Sequence, residues 1–303
     1  MSELDYFGEL LASMVDGDEP PGLSRPGSGA GRMQRLVLGL LRQHQTRGEL
    51  PTSSRFLFYE LLSRGVVSKS GPGESRRGTA DHPREQEVID AVMAVRRAGA
   101  VPWSWIADET RRVREWEHSP TVLDFTRRSV DVARLNPWHP AEPPLILTES
   151  RSLAGVLAPV AAEYVCPVAS TNGQVGGWLR TDVAPLLPRP VLYCGDLDLS
   201  GDLIEANTQR VLERSAGALP WRRVAITSEQ VSGHKLTPIT KQDRRYRPPR
   251  KHLAVETEAL GQGVVVSLVR EALDDLLPEP LANVRERERQ QRTEVARKLD
   301  GGR

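Results

Sequence analysis

The stretch Val191-Leu-Tyr-Cys-Gly-Asp-Leu-Asp-Leu-Ser-Gly201 decides how this chain folds. Its apolar first half, bounded by Pro190 and Gly195, has the length and texture of a buried strand. Asp196 and Asp198 follow at once, one residue apart. Carboxylates just past the carboxyl end of a strand lie where open α/β sheets place their ligands. The i, i+2 spacing lets both turn toward one small hard cation such as Mg²⁺. The same residues also read as a polar turn, with Asp198 or Ser200 capping the next helix.

The pattern continues on both sides. Pro144–Thr148 reads as a strand ending at Glu149, Leu153–Tyr164 as an apolar-faced helix, and Val165–Ala169 as a second strand. A glycine-bearing turn (Gly173, Gly176, Gly177) precedes the strand Val191–Cys194. A helix over 202–215 and a strand over 224–227 follow. Strands alternating with helices predict a parallel sheet with right-handed crossovers. In such a sheet Glu149, Asp196 and Asp198 are expected at one edge. Residues 233–252 are polar and basic, 253–277 begin as a strand and become a helix, and the tail from Arg285 is a highly charged helix.

Upstream, residues 3–15 have amphipathic helical spacing and 16–31 form a Gly/Pro/Ser-rich linker. The folded body is expected to begin near Arg32. Ser54–Arg64 reads as a helix stopped by Gly65, and 85–97 as a second helix ended by Gly99. Val101–Ile106 reads as a short extended segment. These elements fit a winged helix, and equally any small helical bundle. Residues 113–143, ending in Asn136-Pro-Trp-His-Pro-Ala-Glu-Pro-Pro144, form a connector. The expected division is therefore 1–31, 32–112, 113–143, 144–277 and 278–303.

With 303 residues, 39% hydrophobic and 27% charged, the chain has an ordinary globular balance. A net charge of +1 gives no global attraction to nucleic acid or membrane, so any such binding needs a local patch. The two cysteines, Cys166 and Cys194, lie in apolar runs, and the six histidines lack zinc-ligand spacing. A reducing cytoplasm fits this composition. No apolar run approaches the ~20 residues that span a bilayer. The basic residues Lys241, Arg244, Arg245, Arg247, Arg250 and Lys251, with Tyr246 among them, make the densest positive run, either a phosphate-binding surface or a solvated loop. Arg96, Arg97, Arg111 and Arg112 form a second set. Trp103, Trp105 and Trp138 are expected to pack at the domain junction. No Walker A motif occurs, so ATP hydrolysis would need a partner.

A glutamate ending one strand, then an apolar strand ending in Asp-x-Asp with a glycine three residues on, resembles the Toprim domain of topoisomerases, primases and several nucleases. The resemblance covers about 144–275. It implies that Glu149 binds metal or acts as general acid/base, that Asp196 and Asp198 bind Mg²⁺ or Mn²⁺, and that the substrate is double-stranded DNA. Ser54-Arg-Phe-Leu-Phe-Tyr59 is similar to the motif of the topoisomerase VI A subunit and its meiotic relative, in which an Arg precedes an aromatic-Tyr pair and the Tyr attacks DNA. Arg55 and Tyr59 match that spacing. The whole resembles a topoisomerase VI A-like protein or the Toprim nuclease subunit of SMC-like anti-plasmid systems. The implied fold is a winged-helix-like α+β domain followed by a Rossmann-like Toprim domain. The implied assembly is a homodimer, with Tyr59 of one protomer meeting the carboxylates of the other and with an ATPase or SMC-like partner. Two further readings stay open: Tyr59 as a packed helix residue, with water as the nucleophile, and a non-catalytic DNA-binding subunit docked on such a partner.

Overall fold

The structure is a computed structural model that describes residues 21–70, 74–79, 82–107, 117–173, 178–243 and 250–301. The expected helix over 3–15 lies outside them, as do Gly176, Gly177, Arg111, Arg112, Arg244, Arg245, Tyr246 and Arg247.

The chain is mixed α/β, centred on a four-stranded parallel sheet. Strands β1 (Leu145–Thr148), β2 (Val168–Ser170), β3 (Val191–Cys194) and β4 (Trp221–Ala225) lie in the order β2-β1-β3-β4. β1 and β3 pair in register from Leu145 against Val191 to Thr148 against Cys194. Every residue of both central strands is buried, which explains their unbroken apolar run. Their side chains divide by the two-residue period of a strand. Ile146, Leu192 and Cys194 face a core shared with the helices Arg151–Glu163 and Gln262–Asp274. Leu145, Leu147, Val191 and Tyr193 face a second core with Val211 and Leu212 of the helix Leu199–Ala216.

The N-terminal layer holds α1 (Gly29–Arg47), α2 (Ser54–Ser63) and α3 (Glu85–Arg97) around their own core, which includes Leu36, Leu40, Leu57, Leu61, Val88 and Val92. Ser53 caps α2 by accepting from the Phe56 amide at 3.2 Å. Gly65 (φ +72°) and Gly99 (φ +69°) take the left-handed conformation after α2 and α3, as their spacing predicts. The expected linker ends earlier than Gly31: α1 starts at Gly29, because Ser28 caps it and accepts from the Gly31 amide. Val101–Ile106 is not an extended segment. Trp103–Trp105 is a short 3-10 turn, and only Ile106 makes a bridge, to Thr52.

The connector carries α4 (Val122–Val132), followed along the chain by α5 (Arg151–Glu163), α6 (Leu199–Ala216) and α7 (Ser228–Gly233). The polar and basic stretch 233–252 and the strand expected from 253 contribute to an antiparallel hairpin, β5 (Ile239–Asp243) with β6 (Arg250–Ala254). After a 3-10 turn (Thr257–Leu260), α8 (Gln262–Asp274) returns to the sheet and α9 (Leu281–Gly301) ends the chain. The charged tail is anchored: Glu288 is buried and accepts from the Leu135 amide at 2.8 Å. Among the described residues no helix is long and apolar enough to cross a membrane.

Candidate metal centre

Strand order places the acidic residues. From β1 the chain crosses through α5 to β2 on one side, and from β3 through α6 to β4 on the other. The β1/β3 boundary is thus the switch point of the sheet, where ligand crevices open beyond the strand ends. Glu149 leaves β1 there, and Asp196 and Asp198 leave β3. The Glu149 amide donates to the Cys194 carbonyl at 2.9 Å, which keeps the two strand ends aligned. Glu149 Oε2 accepts from the Asp196 amide at 3.1 Å, so the carboxylates converge.

The turn is built for close approach. A Cβ on Gly195 would lie 2.6 Å from the Tyr193 ring. A Cβ on Gly201 would lie 2.2 Å from the Asp196 carbonyl oxygen and 3.3 Å from Glu149 Oε2. The glycine three residues after the Asp-x-Asp is therefore a steric requirement of the turn. Asp198 Oδ1 accepts from the Ser200 and Gly201 amides at 2.8 Å each, capping α6. The capping and site readings of Asp198 are compatible, since Oδ2 is left to face the cluster. Arg223 reinforces the turn from below, donating to the carbonyls of Gly195 (3.0 Å) and Asp196 (2.6 Å).

Two carboxylates that the sequence reading missed complete the cluster. The Leu197 and Val255 backbones exchange hydrogen bonds of 2.9 and 3.1 Å, which fastens the segment after β6 to the Asp-x-Asp turn. Glu256 and Glu258 follow. Asp196 Oδ1 accepts from the Thr257 amide at 3.0 Å. Ala254-Val-Glu-Thr-Glu258 carries the same signal as the first motif, an apolar strand end followed by two acids at i, i+2. Lys69, in a polar coil, carries no such signal.

Three basic side chains enter this cluster. Arg55 of α2 pairs with Glu256, with Glu258 Oε1 (3.2 Å) and with Asp196 Oδ2 (3.8 Å). Lys69 pairs with Glu256 and donates to the Tyr59 hydroxyl at 2.6 Å. Lys241 Nζ lies 2.7 Å from Asp198 Oδ2, 3.3 Å from Glu256 Oε1 and 3.8 Å from Asp196 Oδ2. Arg55 and, through Lys69, Tyr59 thus stand beside the carboxylates of their own chain.

The environment moves the titrations apart. Burial, with the charges of Glu258, Glu256 and Glu149, raises Asp196 to about 7. Burial also raises Glu149 from its ordinary value. Burial pushes Glu256 up as well, but Arg55, Lys69 and Lys241 outweigh it and hold its carboxyl well below that range. At Asp198 the same upward effect is overcome by Lys241 and the Gly201 and Ser200 amides. Tyr59 is 6% exposed, and burial together with the charge of Glu256 drives its phenol far above the ordinary value.

The remaining expected site residues lie apart. Arg96 stacks on Trp103, its guanidinium carbon 4.1 Å from the ring centre, and donates to the Trp103 carbonyl. Arg97 is exposed on α3. Trp138 is buried in the sheet core, Trp105 packs half-buried against the N-terminal core, and Trp103 is 53% exposed beneath Arg96; the three do not gather at one junction.

Among the described residues, no three acidic, His or Cys side chains stand in a metal-holding arrangement. The donors are nevertheless of the hard oxygen type that a divalent ion such as Mg²⁺ takes. Three carboxylate oxygens already face one cation, the Lys241 ammonium. Five carboxylates face three basic side chains, which leaves two negative charges in excess once all five are ionised. Compared with protein-family models, curated protein sequences and solved structures, the chain finds no match in any of the three.

Proposed function

We propose that this chain is a Mg²⁺- or Mn²⁺-dependent DNA-cleaving protein, with a Toprim-like sheet domain holding the metal and the N-terminal helical layer acting as a winged-helix-like DNA-binding unit. The observation that carries the reading is the convergence of Glu149, Asp196 and Asp198 at the sheet's switch point. Glu149, Asp196 and Asp198 would hold the ion. Bound there, it would stabilise charge on a phosphodiester and acidify a coordinated water.

The protein's own groups fill the other roles. Glu149 either completes that ligand set or, left off the ion with its carboxyl raised by burial, takes up and returns a proton near the strand ends. Arg55 and Lys241 are the basic side chains a phosphate meets beside the carboxylates. Tyr59 favours water over tyrosine as the nucleophile. Its hydroxyl is buried, held by Lys69 and far from ionising, whereas covalent use needs an activated oxygen. In this reading Tyr59 fixes Lys69 against Glu256.

A second reading, a non-catalytic DNA-binding subunit that docks on an ATPase or SMC-like partner, is favoured by one observation. Lys241, Arg55 and Lys69 already neutralise much of the cluster. Incubating supercoiled plasmid with the chain and Mg²⁺ or Mn²⁺ separates the two. Metal-dependent nicking or linearisation that is lost in Asp196→Ala supports cleavage. Retained DNA binding with no cleavage by the wild-type chain in either metal supports the second reading.

A further inference from the structure

We infer that Lys241 is a tethered competitor for the cation position of this centre and that Glu256 is a further ligand of the ion, an inference that rests on the metal-centre reading above. The Lys241 ammonium is the point on which Asp198 Oδ2, Glu256 Oε1 and Asp196 Oδ2 converge, at 2.7, 3.3 and 3.8 Å. A cation attracted by those three oxygens occupies the place that the ammonium now takes. Mg²⁺ draws its oxygens to about 2.1 Å, closer than an ammonium permits. The two cannot be held by the same oxygens at once.

Rigidity decides which partner yields. The paired Leu197 and Val255 backbones and the Thr257 amide on Asp196 Oδ1 fix Glu256 to the Asp-x-Asp turn. Asp198 is fixed by the first turn of α6. Lys241 instead reaches the carboxylates from β5 on a flexible four-carbon stem. Its side chain is 32% exposed. The lysine can therefore swing out while the carboxylates stay. With the carboxylates ionised, three oxygens on three separate carboxylates give a divalent ion an electrostatic advantage over one ammonium. Once displaced, Lys241 remains tethered beside the centre, placed to pair with a phosphate of the bound substrate.

Isothermal titration of the full chain with Mn²⁺ tests this directly, comparing wild type with Lys241→Met and Glu256→Gln. Removing the competing charge should tighten Mn²⁺ binding roughly tenfold in Lys241→Met, and removing a ligand charge should weaken it by a similar factor in Glu256→Gln. A second measurement needs no variant. Acylation of Lys241 by acetic anhydride, quantified by mass spectrometry, should rise several-fold at saturating Mn²⁺. Wild-type Mn²⁺ binding with a Lys241→Met affinity within twofold of it, or with Lys241 acylation unchanged by the metal, overturns the inference and leaves the metal centre standing. Absence of Mn²⁺ binding in both wild type and Lys241→Met overturns the inference and the metal-centre reading together.

Discussion

Arg55 and Glu256, 201 residues apart in the chain, are joined by an ion pair that ties helix α2 to the segment after β6. The pair links the N-terminal helical layer to the carboxylates of the sheet, so the layer is part of the site's electrostatics as well as its neighbour. Gln262, donating to the Pro51 carbonyl at 2.9 Å, adds a second tie across the same boundary.

Removing Arg55 should therefore cost stability in both halves at once. Arg55→Ala leaves Glu256 and the nearly inaccessible Glu258 short of a positive partner. A loss of about 3 kcal/mol is expected, the lower end for a broken buried pair because Arg55 is 37% exposed. Urea unfolding of the full chain measures it. Addition of Glu258→Gln to Arg55→Ala should recover part of the loss.

Gly201→Ala should disrupt the centre more than its size suggests. The new methyl would meet the Asp196 carbonyl at 2.2 Å, and a backbone atom cannot rotate away. A destabilisation of about 1–3 kcal/mol, the usual range for forced overpacking, is expected from urea unfolding, together with weaker Mn²⁺ binding. Gly217→Ala serves as a control of another kind. Nothing lies within 4 Å of its Cβ position, so only its positive φ (+78°) opposes the change.

Glu288 gives a pH-dependent anchor for the tail helix. Burial raises its carboxyl, but the Leu135 amide and the guanidiniums of Arg285, Arg292 and Arg134 outweigh it, so the folded-state value is depressed. A depressed carboxyl contributes stability above its unfolded pKa, about 4.3 for Glu, and loses that contribution as pH falls through the folded value. Glu288→Gln should be less stable than wild type at pH 7, and the gap should close below about pH 4. Thermal unfolding across this range checks the sign.

Cys166 and Cys194 should be silent to thiol reagents in the folded chain. Both are free and buried, and burial pushes each thiol up to about 12. Reaction with a chromogenic disulfide should be negligible under native conditions and should reach two thiols per chain in denaturant.

What the sequence revealed follows from the range of the forces involved. β3, α3 and the stop at Gly65 were legible because an apolar run, an amphipathic period and a left-handed glycine are local signals. Of the hairpin β5–β6 only the strand start at Leu253 was legible; the rest is polar, and its pairing is stabilised by the Asp-x-Asp turn that it meets only in three dimensions. Helix α6 begins at Leu199 rather than near 202 because the Asp198 carboxylate supplies the cap that extends it. Glu149, Asp196 and Asp198 were found from strand-end logic. Glu256 and Glu258 obey the same logic but follow a strand without the long apolar run that drew notice to β3. Lys69 enters the cluster only through folding.

The most direct measurement is cleavage of supercoiled plasmid in Mn²⁺ by wild type, Asp196→Ala and Tyr59→Phe in parallel, with products separated after protein denaturation. The expected result is nicked or linear DNA free of protein from wild type and Tyr59→Phe, and intact plasmid from Asp196→Ala. Cleavage that survives Asp196→Ala, or that disappears in Tyr59→Phe while the wild-type chain stays covalently attached to DNA ends, would contradict it.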